Sequence, residues 1–290
     1  MPTNEQRREA AKRKLDRQLA RRAKRARRRR MYAVIGSAAA VVLVVGLVVL
    51  ISFLSSGEQT NTAAEPSVPP LQPAPSSESP PIPAEALPAP TRPEPLPATV
   101  NCQYPPSPQP AAKPVTPPPA GPTSAEGTLQ ATLQTSAGPI ALTLNRALAP
   151  CTVRSFTSLA TQGFYHDSPC HRLVTNPGLQ VLQCGDPTGQ GNGGPGYTIP
   201  DEVFPGLTYG RGYVAMANTG QPDSGGSQFF LIYGDAALPA SYTVFATISP
   251  ESLQVIDRIA QAGDDGSLEP SPGGGKPNKP VTLQSVQVNS

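Results

Sequence analysis

Residues 169–187 read PCHRLVTNPGLQVLQCGDP. Two of the four cysteines, one of the two histidines and an arginine lie in this stretch. A zinc-type site needs close pairs such as C-x2-4-C or H-x3-5-H. Here Cys170 and Cys184 are 14 apart. His166 and His171 are five apart but in a turn-rich stretch, not on one helix. No metal is expected. The runs CHRLV and LQVLQC are instead short, apolar and bounded by turn residues, as two strands would be. Arg172 and Gln183 are among the polar residues those strands carry.

The flanking sequence has the same character. Thr128–Thr135 (TLQATLQT) and IALTLN alternate apolar and polar around SAGP, which predicts a hairpin. Ala149–Gly163 is a helix candidate, with Pro150 at its start, Gly163 past its end, and Val153, Phe156, Leu159 and Ala160 at helical spacing. GYVAMAN, SQFFLIY, YTVFATI and VTLQSVQV read as strands, and Ser252–Ala260 as a second helix. Many short strands with two helices predict a mainly β fold, a barrel or sandwich with helical caps. Ser227, in GGSQF, does not sit in a G-x-S-x-G elbow. GQGNGG (189–194) runs into PGYTIP and opens no helix, so it reads as a surface loop and not a dinucleotide cradle.

The 290 residues divide by composition into 1–30, a basic cytoplasmic tail; 31–55, a transmembrane helix; 56–126, a disordered Pro-rich linker; and 127–290, the folded domain. The first 30 residues hold 14 Lys/Arg against 3 acids, and the remainder 9 against 17. Met31–Leu54 supplies 24 residues without a charge, enough to span a bilayer, where roughly 20 suffice. That run and its leader are too long for an ordinary cleaved signal. The positive charge before it places the N-terminus in the cytoplasm and the domain outside, in a single-pass protein of the cell membrane. The tail's expected partner is the anionic inner leaflet; nucleic acid is the runner-up and is not expected. A topology signal with no partner is as good a reading. Pro66–Pro122 contains 22 prolines and no hydrophobic period, which predicts an extended polyproline stalk. All four cysteines (Cys102, Cys151, Cys170, Cys184) fall on the outer side, where two disulfides are expected. A bridge from Cys102 would staple the stalk to the domain.

Over roughly residues 128–288 the sequence resembles the cyclophilin family of peptidyl-prolyl cis-trans isomerases. The resemblance rests, in family order, on SFTSLATQGFY, CHRL (family F-H-R-I), LQCGDPTGQGNGGPGY (Q-G-G-D-x-T-x-x-x-G-x-G-G), GYVAMANTG (G-x-L-S-M-A-N-x-G), GGSQFFL and YTVFATI. It implies a closed antiparallel β-barrel capped by the two helices, with Arg172 catalytic and Gln183 positioning it. It implies substrate contacts for His171, Ala217, Asn218, Gln228, Phe230, Leu238 and Tyr242, with Val181 or Leu179 completing an apolar pocket. Phe229 and Phe230 are adjacent in a strand, so one faces the core and the other the pocket; the resemblance selects Phe230. Proline-containing polypeptides become the expected partners, with no cofactor and a monomeric catalytic domain. The alternative is a proline-peptide binding or scaffold module with weak or no activity.

The sequence departs from the family in four places. His171 to Gln183 is three residues longer, the phenylalanine expected before Gln183 is missing, MANTGQPDSGGSQ carries one extra residue, and Ala237 stands where many eukaryotic members have tryptophan. If Arg172 and Gln183 face one pocket, strand parity puts Cys170 on that face and Cys184 on the other. A direct 170–184 bridge is then disfavoured unless a bulge intervenes. The partners of Cys102 and Cys151 stay open.

Overall fold

The computed structural model describes residues 80–289. The basic tail, the apolar segment at 31–55 and the linker as far as residue 79 lie outside the described residues. The predicted hairpin is β3 (Thr128–Thr135) and β4 (Gly138–Asn145), paired from Thr128↔Asn145 to Thr135↔Gly138. Its alternation buries Ala131, Leu133, Ile140, Leu142 and Leu144 on one face. Helix α1 (Pro150–Thr161) follows, burying Val153, Phe156, Leu159 and Ala160. Lacking a side-chain cap of its own, it presents the Cys151 and Thr152 N–H groups to the Glu202 carboxylate at 2.9 and 2.8 Å. Charge-assisted bonds at a helix N-terminus suit an anion there.

The other strands are β5 (Ser168–Pro169), β6 (Arg172–Asn176), β7 (Leu179–Cys184), β8 (Tyr213–Met216), β9 (Phe229–Ala236), β10 (Val244–Ile248) and β11 (Thr282–Asn289). Helix α2 (Pro250–Ala260) starts two residues before the predicted one. It is capped by Ser249, whose hydroxyl accepts the Ser252 N–H at 3.3 Å. The sheet is antiparallel and ordered β5-β11-β3-β4-β10-β8-β9-β7-β6. It curls into a half-barrel and is not closed, contrary to the closed barrel that the resemblance implies. The edge strands β5 and β6 are joined only by the chain through Cys170–His171, and Cys170 turns its N–H to Val281 O at 2.8 Å. An aromatic cluster fills the interior: Phe156 lies 5.6 Å from Phe229 and 5.3 Å from Phe245, and Tyr165 lies 5.9 Å from Phe229.

Two expectations need correction. The first is the stalk. Residues 80–126, expected to hang free, are laid along the domain and contribute β1 (Thr99–Cys102) and β2 (Gly121–Ser124), which pair with each other. Polyproline-type backbone makes no internal hydrogen bonds, so its polar groups are free for a neighbour. Here the neighbour is the domain. Leu87 N donates to Arg211 O (2.9 Å), Tyr213 Oη to Pro88 O (2.6 Å) and Thr198 N to Pro105 O (2.9 Å). Arg92 donates to Leu148 O and Glu202 O, each at 2.7 Å, and lies over the Phe204 ring. Because such backbone is already restricted, docking it costs little additional entropy.

The second is the disulfides. Cys102 pairs with Cys151, fastening the segment to α1, and Cys170 pairs with Cys184, their Cα atoms 4.0 Å apart. The parity argument against the second bridge assumed one strand running through residues 170–172. Strand β6 begins only at Arg172. Cys170, outside it, is therefore free to turn inward to Cys184, and both are buried.

Candidate active site

Strand register builds the site. Arg172 on β6 pairs with Gln183 on β7, Gln183 with Phe230 on β9, and Phe230 with Ala215 on β8. Directly paired residues share a face, so one row carries the arginine, the glutamine and the phenylalanine. A relay of amides fixes their orientations. Arg172 Nη1 donates to Gln183 Oε1 at 3.2 Å, Gln183 Nε2 to Gln228 Oε1 at 2.9 Å, and Gln228 Nε2 to Gly193 O at 3.0 Å. Burial lowers the Arg172 pKa and Glu269 opposes the fall; a guanidinium stays charged regardless.

The apolar side of the site is aromatic. Phe230, 6% exposed, meets the Tyr242 ring edge-on at 5.3 Å. Tyr242 is itself held by Tyr209, which donates its hydroxyl to Tyr242 O at 2.8 Å and accepts the Tyr242 N–H at 2.9 Å. Phe229 points the other way into the interior cluster. Val181 is buried, shares the Gln183 face and lies opposite Ile232, whereas Leu179 sits half-buried at the strand's edge. Leu238 is half-buried against the core.

Ala217 N donates to Gln228 O at 2.9 Å, prolonging the β8 pairing. The Asn218 side chain is used twice: it donates to Ser241 O (2.8 Å) in the β9–β10 connection and accepts the Gly220 N–H (3.0 Å) of its own loop. His171 lies beside the row. Burial lowers its pKa, with Asp186 opposing and Arg172 reinforcing. Its buried Nδ1 has no hydrogen-bond partner among the described residues. Ser227 donates its hydroxyl to Gly185 O at 2.8 Å. Among the described residues no three His, Cys, Asp or Glu side chains converge as metal ligands would.

The long middle of the opening stretch is a hairpin turn. Asn176 pairs with Leu179 across Pro177–Gly178, and Gly178 has a φ of +78°. Pro then Gly is the order a type II turn requires. The lengthened hairpin reaches a loop at 264–276 that sequence reading did not connect with the site. Thr175 donates to Asp264 Oδ2 (3.0 Å) and Asn176 to Glu269 Oε1 (2.8 Å). The same Glu269 atom accepts the Gly274 N–H at 2.6 Å. The loop in turn holds the arginine: Arg172 Nε donates to Gly273 O at 2.9 Å and Nη2 to Pro272 O at 2.5 Å.

The family model for cyclophilin type peptidyl-prolyl cis-trans isomerases matches residues 130–288. The chain belongs to the cyclophilin family. It is 44% identical over 203 residues to a probable peptidyl-prolyl cis-trans isomerase B of Mycobacterium leprae, covering 66% of this chain and 67% of that one. The Mycobacterium tuberculosis protein described in the same words is also 44% identical, and the match covers 64% of it, just under two thirds of its length. A Helicobacter pylori peptidyl-prolyl cis-trans isomerase is 43% identical over 137 residues, 46% of this chain and 82% of that protein. The crystal structure of a cyclophilin type isomerase from Cryptosporidium parvum superposes with a TM-score of 0.50 at 26% identity, over 57% of this chain and 99% of that one.

Two features of this cyclophilin domain lead to predictions. Asp186 orders the glycine-rich loop beside the amide relay. Its carboxylate accepts from Thr188 N (2.7 Å), Thr188 Oγ1 (2.8 Å) and Gly193 N (3.0 Å). Gly193 is needed there, since a Cβ would lie 2.0 Å from Asp186 Oδ1. Burial raises the Asp186 pKa, but the hydrogen bonds outweigh it and leave the pKa below its ordinary value. A depressed carboxylate contributes stability above its unfolded pKa, and loses it as pH falls below about 4 towards the folded value. Asp186→Asn is expected to lose about 1–3 kcal/mol at pH 7. Urea titrations of both proteins at pH 7 and pH 3 check this: the gap narrows in acid, and an equal gap at both pH values contradicts it.

Glu269 acts on the arginine at second hand, through the Pro272–Gly273 carbonyls. Glu269→Ala is expected to lower kcat/KM about tenfold, chiefly through kcat. Glu269→Gln, which keeps one acceptor, restores part of the loss. Steady-state kinetics of both variants check the split; a pure KM effect contradicts a positioning role.

Proposed function

We propose that this chain accelerates cis-trans exchange of X–Pro bonds in exported or envelope polypeptides. Amide rotation is opposed by a barrier of ~18–20 kcal/mol because the C–N bond is partly double. No bond is made or broken, so catalysis consists of holding the twisted amide more tightly than either planar form. The aromatic floor of Phe230 and Tyr242, with Val181, grips the proline ring. Arg172 donates to the imide nitrogen, whose lone pair becomes available only when conjugation is lost. A donor satisfied only in the transition state lowers the barrier. Because the Asn218 side chain is engaged by Ser241 O and the Gly220 N–H, peptide contacts there fall to its main chain.

The observation that carries this reading is the fixing of Arg172. Three of its N–H groups are held, by Gln183 Oε1, Pro272 O and Gly273 O, beside an apolar floor. The test is X–Pro exchange in a short peptide with catalytic amounts of the chain. Peptide binding without any acceleration would instead indicate a binding module.

We also propose a single-pass anchor at 31–55, the basic tail on the anionic inner leaflet, and a monomeric catalytic domain outside the cytoplasm. Support comes from the uncharged run, the charge asymmetry around it, and two disulfides suited to an oxidising compartment. Protease added to intact cells should release the domain; a domain protected until lysis contradicts this topology.

A further inference from the structure

A cavity of about 750 Å³ adjoins the amide relay. Gln183, Asn218 and Gln228 of the site line it, with the 191–195 loop. So do Ser107, Pro108 and Gln109, which belong to the segment ahead of the family-matched region 130–288. That segment is fastened on both sides of these three residues. Before them, Cys102 is bridged to Cys151, Tyr104 Oη donates to Cys151 O at 3.0 Å, and Thr198 N donates to Pro105 O at 2.9 Å. After them, Ala112 N donates to Gly194 O at 2.8 Å, while Ser107 itself donates its N–H to Gly196 O at 3.0 Å. A wall fixed at both ends does not yield readily to a ligand. Gln109 is exposed, so its side chain is not committed to the core. The cavity lining carries hydroxyls, amides and main chain, and no charged residue.

We propose that Ser107–Gln109 is a specificity-determining wall that reads one neutral side chain of the substrate next to its proline. The inference rests on the reading of the Arg172 row as the proline site. Gln183, the strand partner of Phe230, and Gln228 beyond it both line this cavity. A peptide whose proline sits on Phe230 and whose chain runs past these two amides brings a side chain against Gln109 and Pro108. A charged side chain gains no counter-charge there, whereas a bulky neutral one gains contact and hydrogen-bond partners. Substrate preference would then be set in part by a segment that the catalytic fold itself does not include.

The test uses the full chain and a set of glycine-rich X–Pro peptides in which one leucine is moved through the three positions before and the two after the proline. Dissociation constants are measured for wild type and for Gln109→Trp, which narrows the cavity from an exposed position. The expected result is a loss of at least about fivefold for the peptide with leucine at one position, and less than about twofold for the others. Equal shifts at all positions, or none, overturn the proposal. X–Pro exchange measured in the same samples tests the isomerase reading separately. Position-specific binding without acceleration keeps the wall and removes the enzyme. Acceleration without position-specific binding keeps the enzyme and removes the wall.

Discussion

Arg172→Ala is expected to lower kcat/KM for X–Pro isomerisation by about 10²–10³, the cost of removing one preorganised transition-state donor. The fall should lie mainly in kcat, because in the proposed mode the proline ring rests on the Phe230–Tyr242 pair, which the substitution leaves in place. Arg172→Lys should recover little. The guanidinium is fixed as a plane by acceptors at 3.2, 2.9 and 2.5 Å on three of its nitrogens. An ammonium cannot reproduce that fork. Kinetics of wild type and both variants, with thermal melts to show that the fold persists, check the prediction. A kcat/KM for Arg172→Ala within threefold of wild type would remove the arginine from the mechanism.

Replacing both Cys102 and Cys151 by serine is expected to cost about 4 kcal/mol. The bridge closes a sequence separation of 49, and loop-closure entropy of that size gives a value between those of 15- and 100-residue loops. For a domain of this length the melting temperature should fall by roughly 8–16 °C. The shorter Cys170–Cys184 link, with a separation of 14, should contribute about 3 kcal/mol. Chemical denaturation of the double-serine variant checks the larger effect. A loss below 1 kcal/mol would mean that residues 80–126 stay docked without their covalent tie, or contribute little to stability.

These two predictions mark where the sequence was and was not readable. The hairpin of β3 and β4, both helices and the strands around Arg172 and Gln183 were legible because periodicity is a local property. Leu133 and Ile140 announce their burial within their own strands. The Arg172–Gln183 pairing was legible through the resemblance. The docked segment was not, since composition sets the backbone conformation of a proline-rich stretch but not the surface it meets. Its partners are main-chain groups far away in sequence, such as Arg211 O for Leu87 and Gly196 O for Ser107. Arg92, Cys102 and Tyr104, standing out in a proline-rich stretch, were the available signals. The Cys170–Cys184 bridge was not legible because strand parity does not extend past the end of β6, nor was the half-barrel, because strand number does not fix whether the edges bond. The 264–276 loop went unnoticed because it meets the arginine through main-chain carbonyls, which leave no mark in the sequence.

The central claim is that Arg172 drives rotation about the X–Pro bond in this chain. Exchange spectroscopy of one X–Pro peptide tests it most directly, with wild type and Arg172→Ala each added in catalytic amount and peptide binding read in the same tubes. The account predicts that both proteins bind the peptide and that only wild type produces rapid cis-trans exchange. Equal exchange with the two proteins, whether fast or as slow as in buffer, would contradict it.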